Sequence, residues 1–425
     1  MKKAIIIGVS VLVLGIVLAA AIIINMRNNS DQGEIVAYEE PVKEEEVPTR
    51  QIENKPEIVE QENKIVQITS NYGGMRDITT FDLVAEMGIG INLGNTFESC
   101  GDWIKQYGDG SVRSYETAWG SPMITEEMIK GYADAGFGVL RIPVAWSNMA
   151  DDEYNLSPEY LYAVSEVANW ALDNGMYVII NIHHDNYWMK EFPNNPEGCM
   201  ARYEKIWTQV ADYFKDYDDH LMFESLNEEA GWDFIWNEWK GNDEGKDVVF
   251  NLCNSINQKF VDIVRSSGGN NPERHLLIAG YYTDINHTCD DMYKLPNDPA
   301  GRMAVSVHYY TPSTFCILTE DADWGKARYS WGTEEDFAEL NRNLEKVANK
   351  YVKNGIPVIM GEYGCPIDNK DPDSIYLFLT SVCQKAYDLD ICPILWDITG
   401  VFYDREKCEL YDPKLQAAFD KIQGR

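Results

Sequence analysis

Short apolar runs recur between about residue 71 and the end of the chain, each four to six residues long and rich in Val and Ile. Their apolar character is nearly continuous, not alternating, which is typical of strands buried on both faces of a parallel sheet. The predicted strands are Gly88–Leu93, Gly138–Pro143, Tyr177–Ile182, Leu221–Leu226, His275–Ala279, Ala304–His308, Pro357–Met360 and Ile391–Trp396.

Helix signals occupy the intervals between these runs. Thr125 followed by two glutamates predicts the start of a helix that Gly136 ends, and Ser157-Pro158-Glu159 predicts the start of the next. Each helix leads directly into the following strand, so the chain reads as eight successive βα units. Such a repeat favours an α/β fold of the closed (β/α)8 TIM-barrel type over an open sheet. We therefore predict one domain of this fold over residues 71–425.

The N-terminus has a different character. Two lysines precede an unbroken apolar run, Ala4–Ile24, which is long enough to cross a bilayer. Residues 1–25 are thus predicted to be a signal peptide or a signal anchor, with the length favouring the anchor. Residues 26–70 are polar and acidic, which indicates a disordered linker. The rest of the chain is expected to be secreted or tethered to the outer face of the cell membrane.

The charge balance limits the possible partners. The chain has 69 acidic and 36 basic residues, a formal net charge of −33. Nucleic acids and anionic membrane surfaces require a basic face, so neither is expected as a ligand. Nine scattered cysteines include no CxxC pair, and we predict no zinc or redox motif and no disulfide. A monomer is expected.

Polar and aromatic side chains cluster where the predicted strands end. In a barrel of this type, functional residues project from the carboxyl ends of the strands, so these clusters should converge on one rim. One such cluster would mean little, but their repetition predicts an active site. Its candidate residues are Asn95, Glu98, Arg141, His183, His184, Asn227, Glu228, His308, Tyr310, Glu362 and Trp396.

Between about Met75 and Phe419 the chain resembles family 5 of the glycoside hydrolases, the cellulase-type family that places two catalytic glutamates on strands four and seven. Each motif alone is weak, but their order and spacing together are specific. The motifs are Gly90-Ile91-Asn92-Leu93-Gly94-Asn95-Thr96, Glu116-Thr117-Ala118-Trp119-Gly120, Arg141-Ile142-Pro143, Asn181-Ile182-His183-His184, Leu226-Asn227-Glu228, His308-Tyr309-Tyr310, Gly361-Glu362-Tyr363-Gly364 and Leu395-Trp396-Asp397.

The two glutamates suit glycoside hydrolysis. That reaction needs a proton donor for the leaving oxygen and a second carboxylate at the anomeric carbon. The resemblance implies a retaining mechanism with Glu228 as acid/base and Glu362 as nucleophile. We expect Glu228 to have the higher pKa, because it must begin protonated beside an ionised partner.

The other candidates are expected to support this pair. Arg141 would keep Glu362 ionised, and Asn227 would bind the sugar 2-hydroxyl. His308 and Tyr310 should share one side of an extended strand and face the site. Further sugar contacts or ordering roles are expected of His183, His184, Trp396, Asn95 and Glu98. Glu229 stands where family members often carry proline.

The predicted activity is that of an endo-β-1,4-glucanase acting on cellulose or β-glucan. A xyloglucan-specific endoglucanase or a β-mannanase is the alternative within the same chemistry, and a non-catalytic glycan-binding surface protein is the alternative outside it. The run His183-His184-Asp185 could suggest a metal, but neighbouring residues on a strand point to opposite sides, and no metal or cofactor is predicted. The aromatic residues Trp232, Phe234, Trp236 and Trp239 could line subsites or pack a loop.

Overall fold

The computed structural model describes residues 74–228 and 232–425. Eight parallel strands close into a barrel in which each strand pairs with the next along the chain and the eighth pairs with the first, as predicted. The strands are β1 (Gly90–Asn92), β2 (Val139–Ile142), β3 (Tyr177–Ile180), β4 (Leu221–Glu224), β5 (Leu276–Ala279), β6 (Met303–Tyr309), β7 (Val358–Tyr363) and β8 (Ile391–Leu395).

Helices fill the intervals, as their capping signals predict. The Thr125 side chain accepts a hydrogen bond from the Met128 amide, and Pro158 occupies the first turn of the following helix. The α-helices are α1 (Thr80–Met87), α2 (Asp102–Tyr107), α3 (Val112–Glu116), α4 (Glu126–Asp134), α5 (Pro158–Asp173), α6 (Pro196–Tyr213), α7 (Lys246–Ser266), α8 (Ile285–Thr288), α9 (Ser313–Cys316), α10 (Glu334–Lys350), α11 (Pro372–Tyr387) and α12 (Pro413–Ile422). A two-stranded hairpin, β9 (Tyr403–Asp404) and β10 (Glu409–Leu410), follows β8.

Strand β7 is longer than its apolar run suggests. It continues three residues beyond Met360, through the polar sequence that ends in Tyr363. The β6–β7 register shifts between Val307 and His308, so that His308 pairs with Glu362. Such an irregularity re-aims side chains at the end of a strand. It sets these two residues side by side at the carboxyl edge of the barrel.

The barrel interior is layered. The part nearest the amino ends of the strands is apolar and contains residues such as Val139, Met222 and Ala304. Leu83 and Met87 of α1 pack against it. Side chains two residues apart on a strand point to the same side. The next inward positions therefore form a polar layer, which consists of the fully buried Asn92, Arg141, Glu224 and Ser306.

Three sequence-based predictions fall outside the described residues: the membrane segment 1–25, the linker 26–70 and the role of Glu229. Within the part of the chain that the structure describes, none of the helices has both the length and the apolar character that crossing a membrane requires.

Candidate active site

The two predicted catalytic carboxylates meet at the carboxyl end of the barrel. Glu362 lies on β7, and Glu228 lies four residues beyond the end of β4. One oxygen from each lies within 4.8 Å of the other and of a ring nitrogen of His308. The Glu228 side chain is 21% exposed and that of Glu362 only 6%. Two carboxyls about 5–5.5 Å apart can flank a single glycosidic bond in a retaining arrangement.

Arg141 links this pair to the polar layer. Its Nη1 donates to Glu362 Oε1 at 2.8 Å and to Asn92 Oδ1 at 2.9 Å. Its Nη2 donates to Asn227 Oδ1 at 2.9 Å, and its Nε donates to Glu224 Oε2 at 2.7 Å. Every nitrogen of the buried guanidinium is therefore engaged, which fixes its orientation. The predicted contact between Arg141 and Glu362 is present in this geometry.

His308 and Tyr310 both face the site, as their spacing predicts. The Tyr310 hydroxyl donates to Glu362 Oε2 at 2.9 Å, so both oxygens of Glu362 are hydrogen-bonded. His308 Nδ1 lies 2.7 Å from Glu228 Oε1 and 3.6 Å from Glu362 Oε2. His308 thus interacts mainly with Glu228, whereas Tyr310 hydrogen-bonds to Glu362. The β6–β7 register shift lies directly before these two residues, between Val307 and His308.

These partners reverse the expected pKa order. Burial raises the pKa of the Glu228 carboxyl, but the hydrogen bond and the electrostatic attraction of His308 outweigh it and hold this pKa below its usual value. Burial raises the pKa of Glu362 above its usual value, although His308 and Arg141 act in the other direction. The expectation that Glu228 has the higher pKa is wrong for this arrangement, because His308 forms its short hydrogen bond with Glu228 and not with Glu362.

His183 orders the site from beneath. It is 2% exposed, its Nδ1 lies 3.2 Å from the Asn181 amide nitrogen, and its Nε2 lies 3.4 Å from that of Asn227. Its ring stacks parallel to Trp396, with centroids 5.8 Å apart. Burial lowers the pKa of His183, so the ring is neutral near pH 7. It is placed to orient Asn227 and Trp396.

His184 and Trp396 are partly exposed at the same end of the barrel. The His184 ring packs beside Trp119 at 6.3 Å and Tyr187 at 5.3 Å between centroids. Burial lowers the pKa of His184 to about 4, which also makes this ring neutral near pH 7. The indole of Trp396 offers a flat apolar surface at this end of the barrel, and such surfaces pack well against sugar rings.

Glu98 has a different place from the one expected. It is fully buried, and its two oxygens accept from the backbone amides of Asn95 and Thr96. The carboxylate therefore shapes the loop after β1 and is closed off from a bound sugar, which corrects the prediction. Asn95 is partly exposed, with φ of 58°, and its carbonyl oxygen accepts from Ser121. It remains a candidate sugar contact.

Two structural groups are absent from the predicted candidates. Glu224 is one, although a charged residue inside the apolar run of β4 indicates an internal partner. Arg405 carries no such signal, because most of its partners are distant in sequence: its Nη2 donates to the Gly94 carbonyl at 2.8 Å across a separation of 311 residues. No local pattern reveals such a contact.

The loop aromatics after β4 divide into two kinds. Trp232 and Trp236 are buried, and both lie within 6.4 Å of the Tyr281 ring, so they pack the loop. Phe234 and Trp239 are 58% and 76% exposed. Only these last two are free to serve a bound ligand.

Comparison with known proteins agrees with the geometry. Residues 101–400 match the family Cellulase (glycosyl hydrolase family 5). The chain is 37% identical over 328 residues to Endoglucanase B of Clostridium cellulovorans, an alignment that covers 76% of this chain and 69% of that protein. It is 36% identical over 358 residues to the xyloglucan-specific endo-beta-1,4-glucanase BoGH5A of Bacteroides ovatus, covering 78% and 68%.

The fold is also similar to a solved structure with a bound sugar. The structure of a GH5-4 broad specificity endoglucanase from Ruminococcus champanellensis with bound cellotriose superposes with a TM-score of 0.71 at 32% identity. The match covers 81% of this chain and 99% of that one.

Proposed function

The chain belongs to glycosyl hydrolase family 5, and on this premise we propose that it is a retaining endo-β-1,4-glucanase that cleaves internal bonds of cellulose or β-glucan. The observation that carries the proposal is the approach of Glu228 and Glu362 to within 4.8 Å at the open end of the barrel. Retaining glycosidases hold their two carboxyls about 5–5.5 Å apart and inverting ones about 6.5–9.5 Å apart, so this close approach favours the retaining mechanism.

Glu362 is the proposed nucleophile. Its Oε1 is held by Arg141 and its Oε2 by Tyr310, so the carboxylate is fixed in one orientation before substrate arrives. Attack of a Glu362 oxygen on the anomeric carbon forms a glycosyl ester and breaks the bond to the leaving oxygen. Arg141 and Tyr310 favour the ionised form that this attack requires.

Glu228 is the proposed acid/base. It is the more exposed of the two carboxyls, which leaves room for the leaving sugar and then for water. Glu228, whose Oε1 lies 2.7 Å from His308 Nδ1, passes its proton to the leaving oxygen as the bond breaks. Formation of the ester removes the negative charge of Glu362, which favours the ionised form of Glu228, and only this form can accept a proton from water in the second step.

The roles of the two glutamates are tested with Glu362→Ala and Glu228→Ala. Each should lower kcat on a soluble β-glucan by about a thousandfold or more, with the thermal unfolding midpoint little changed. Near wild-type turnover by either variant would overturn the assignment.

Azide separates the two roles, with an aryl β-cellooligosaccharide as substrate. Azide entering the space left in Glu362→Ala attacks the substrate directly and should yield an α-glycosyl azide. In Glu228→Ala, azide attacks the glycosyl-enzyme and should yield a β-glycosyl azide. The anomer is read by NMR, and the reverse pattern would exchange the two roles.

Substrate choice has a second candidate, because one relative is a xyloglucan-specific endoglucanase. Reducing-sugar release from carboxymethylcellulose, lichenan, xyloglucan and mannan compares the options. We expect the β-1,4-glucans to be cleaved fastest, with internal cuts that lower viscosity before much reducing sugar appears. A strong preference for mannan would contradict the glucanase proposal, and binding without product would favour a non-catalytic glycan-binding protein.

We further propose that the barrel acts outside the cytoplasm as a monomer, secreted or held at the outer face of the membrane by residues 4–24. Two features support this location: the lysines before the apolar run Ala4–Ile24, and a polymeric substrate too large to enter a cell.

A further inference from the structure

Glu224 is a buried charge that the catalytic steps above do not use. Its side chain is fully buried in the polar layer of the barrel. Its Oε2 accepts from Arg141 Nε at 2.7 Å, and its Oε1 accepts from the Ser306 hydroxyl at 2.6 Å. Both oxygens are therefore directed by neighbours on β2 and β6. A carboxylate in this position has no access to the substrate, so any effect on catalysis must pass through Arg141.

Arg141 is shared between two carboxylates. Its Nε faces Glu224, whereas its Nη1 faces the proposed nucleophile Glu362 at 2.8 Å. The other groups that face Glu362 are Glu228 beyond β4 and His308 and Tyr310 at the end of β6. Arg141 is the permanent cation of this cluster, and Glu224 neutralises part of its charge. Without that neutralisation, the whole positive charge would act on Glu362.

We propose that Glu224 is a positioning residue that holds Arg141 in place and, by offsetting its charge, keeps Glu362 basic enough to attack. This inference rests on the proposed function, since it assumes that Glu362 is the nucleophile. A carboxylate that is bonded to an uncompensated guanidinium is a weak base and therefore a weak nucleophile. The raised pKa of Glu362, which burial causes and Arg141 does not cancel, agrees with this division of charge.

Glu224→Gln is the direct test, because it removes the charge and keeps the shape. The amide oxygen can accept from Arg141 Nε, and the amide nitrogen can donate to Ser306 if that hydroxyl turns. Without the Glu224 charge, the full positive charge of Arg141 acts on Glu362 and lowers its pKa. The acidic limb of the kcat/KM profile should therefore move to lower pH by about one unit. The kcat should fall while KM changes little, since the attacking oxygen becomes less basic but no sugar contact is lost.

Glu224→Asp keeps the charge and changes the reach, so its acidic limb should stay at the wild-type pH even if its kcat falls. Asp298→Asn is the matched control. The Asp298 side chain is likewise buried and paired with an arginine, Arg265, at 2.7 and 2.9 Å, but it precedes β6 at the opposite end of the barrel. This variant should lower the thermal midpoint without moving the limb.

The outcomes separate this inference from the proposed function. The role of Glu224 would be overturned if Glu224→Gln folds and the acidic limb of its kcat/KM profile stays at the wild-type pH. It would also be overturned if the limb of Asp298→Asn moves equally far. In either case an inactive Glu362→Ala would still support the proposed function. A shifted limb in Glu224→Asp would also overturn the role of Glu224, and this holds even if Glu224→Gln does not fold. An active Glu362→Ala would remove both proposals.

Discussion

Glu98 shows how a single carboxyl can be placed for structure beside an active site. Burial raises its pKa to about 7, despite hydrogen bonds from the Thr96 and Asn95 amides that favour the ionised form. In the unfolded chain its pKa returns to about 4.3. The folded state therefore binds a proton that the unfolded state releases between these two values. The contribution of this proton to the free energy of unfolding is therefore fully present below about pH 4.3 and is lost as the pH rises through about 7.

Glu98→Gln tests this linkage. Because glutamine does not ionise, the variant should lose the pH-dependent part of the stability, which is on the order of 3 kcal/mol. The wild-type unfolding free energy minus that of the variant should decrease between about pH 4.5 and 7.5. Urea unfolding at several pH values measures it. A difference that stays constant over this range would mean that Glu98 does not titrate there.

At the scale of elements, the segment after β8 joins loops that the barrel itself leaves separate. Arg405, in the β9–β10 hairpin, is 3% exposed and donates to the carbonyl oxygens of Gly94 at 2.8 Å and Asp397 at 3.2 Å. Its other terminal nitrogen contacts the hydroxyls of Thr96 and Ser121. The loops after β1 and β8, which carry Asn95 and Trp396, are thereby tied together.

Arg405→Ala should therefore weaken both stability and substrate binding. It leaves several buried acceptors and the Asp397 carboxylate without their cation, so the unfolding free energy should fall by about 3 kcal/mol. The KM for a soluble β-glucan should rise, because Asn95 and Trp396 lose their common support. Arg405→Lys keeps the charge but lacks the forked guanidinium donors. Its unfolding free energy and its KM should therefore lie between those of the wild type and those of Arg405→Ala. Wild-type stability in Arg405→Ala would contradict the proposed link.

At the scale of the whole molecule, all the candidate site residues lie within 74–425, so the N-terminal 70 residues are available for a separate task. Expressed in a bacterium, the full chain should be found in the membrane fraction, with its barrel accessible to external protease. A chain that starts at residue 26 should remain in the cytoplasm and still hydrolyse β-glucan. N-terminal sequencing distinguishes a retained anchor from a cleaved signal. A full chain found soluble in the cytoplasm would contradict the predicted export.

The sequence by itself determined the kind of molecule and the positions of its chemistry. Runs of apolar residues and capping signals act over a few neighbours, so they indicate each strand, each helix and the ends at which Glu228 and Glu362 lie. The predicted barrel and its strand order are confirmed.

Only the tertiary structure decided which side chains meet. Arg141 and Glu362 are 221 residues apart in sequence, and His308 and Glu228 are 80 apart. The closure of the barrel and the register shift at His308 bring them together. Burial, too, depends on what packs from elsewhere, which is why the closed position of Glu98 and the pKa order of the two glutamates differed from expectation. Hydrogen-bond geometry and desolvation are properties of the assembled barrel, and no local pattern encodes them.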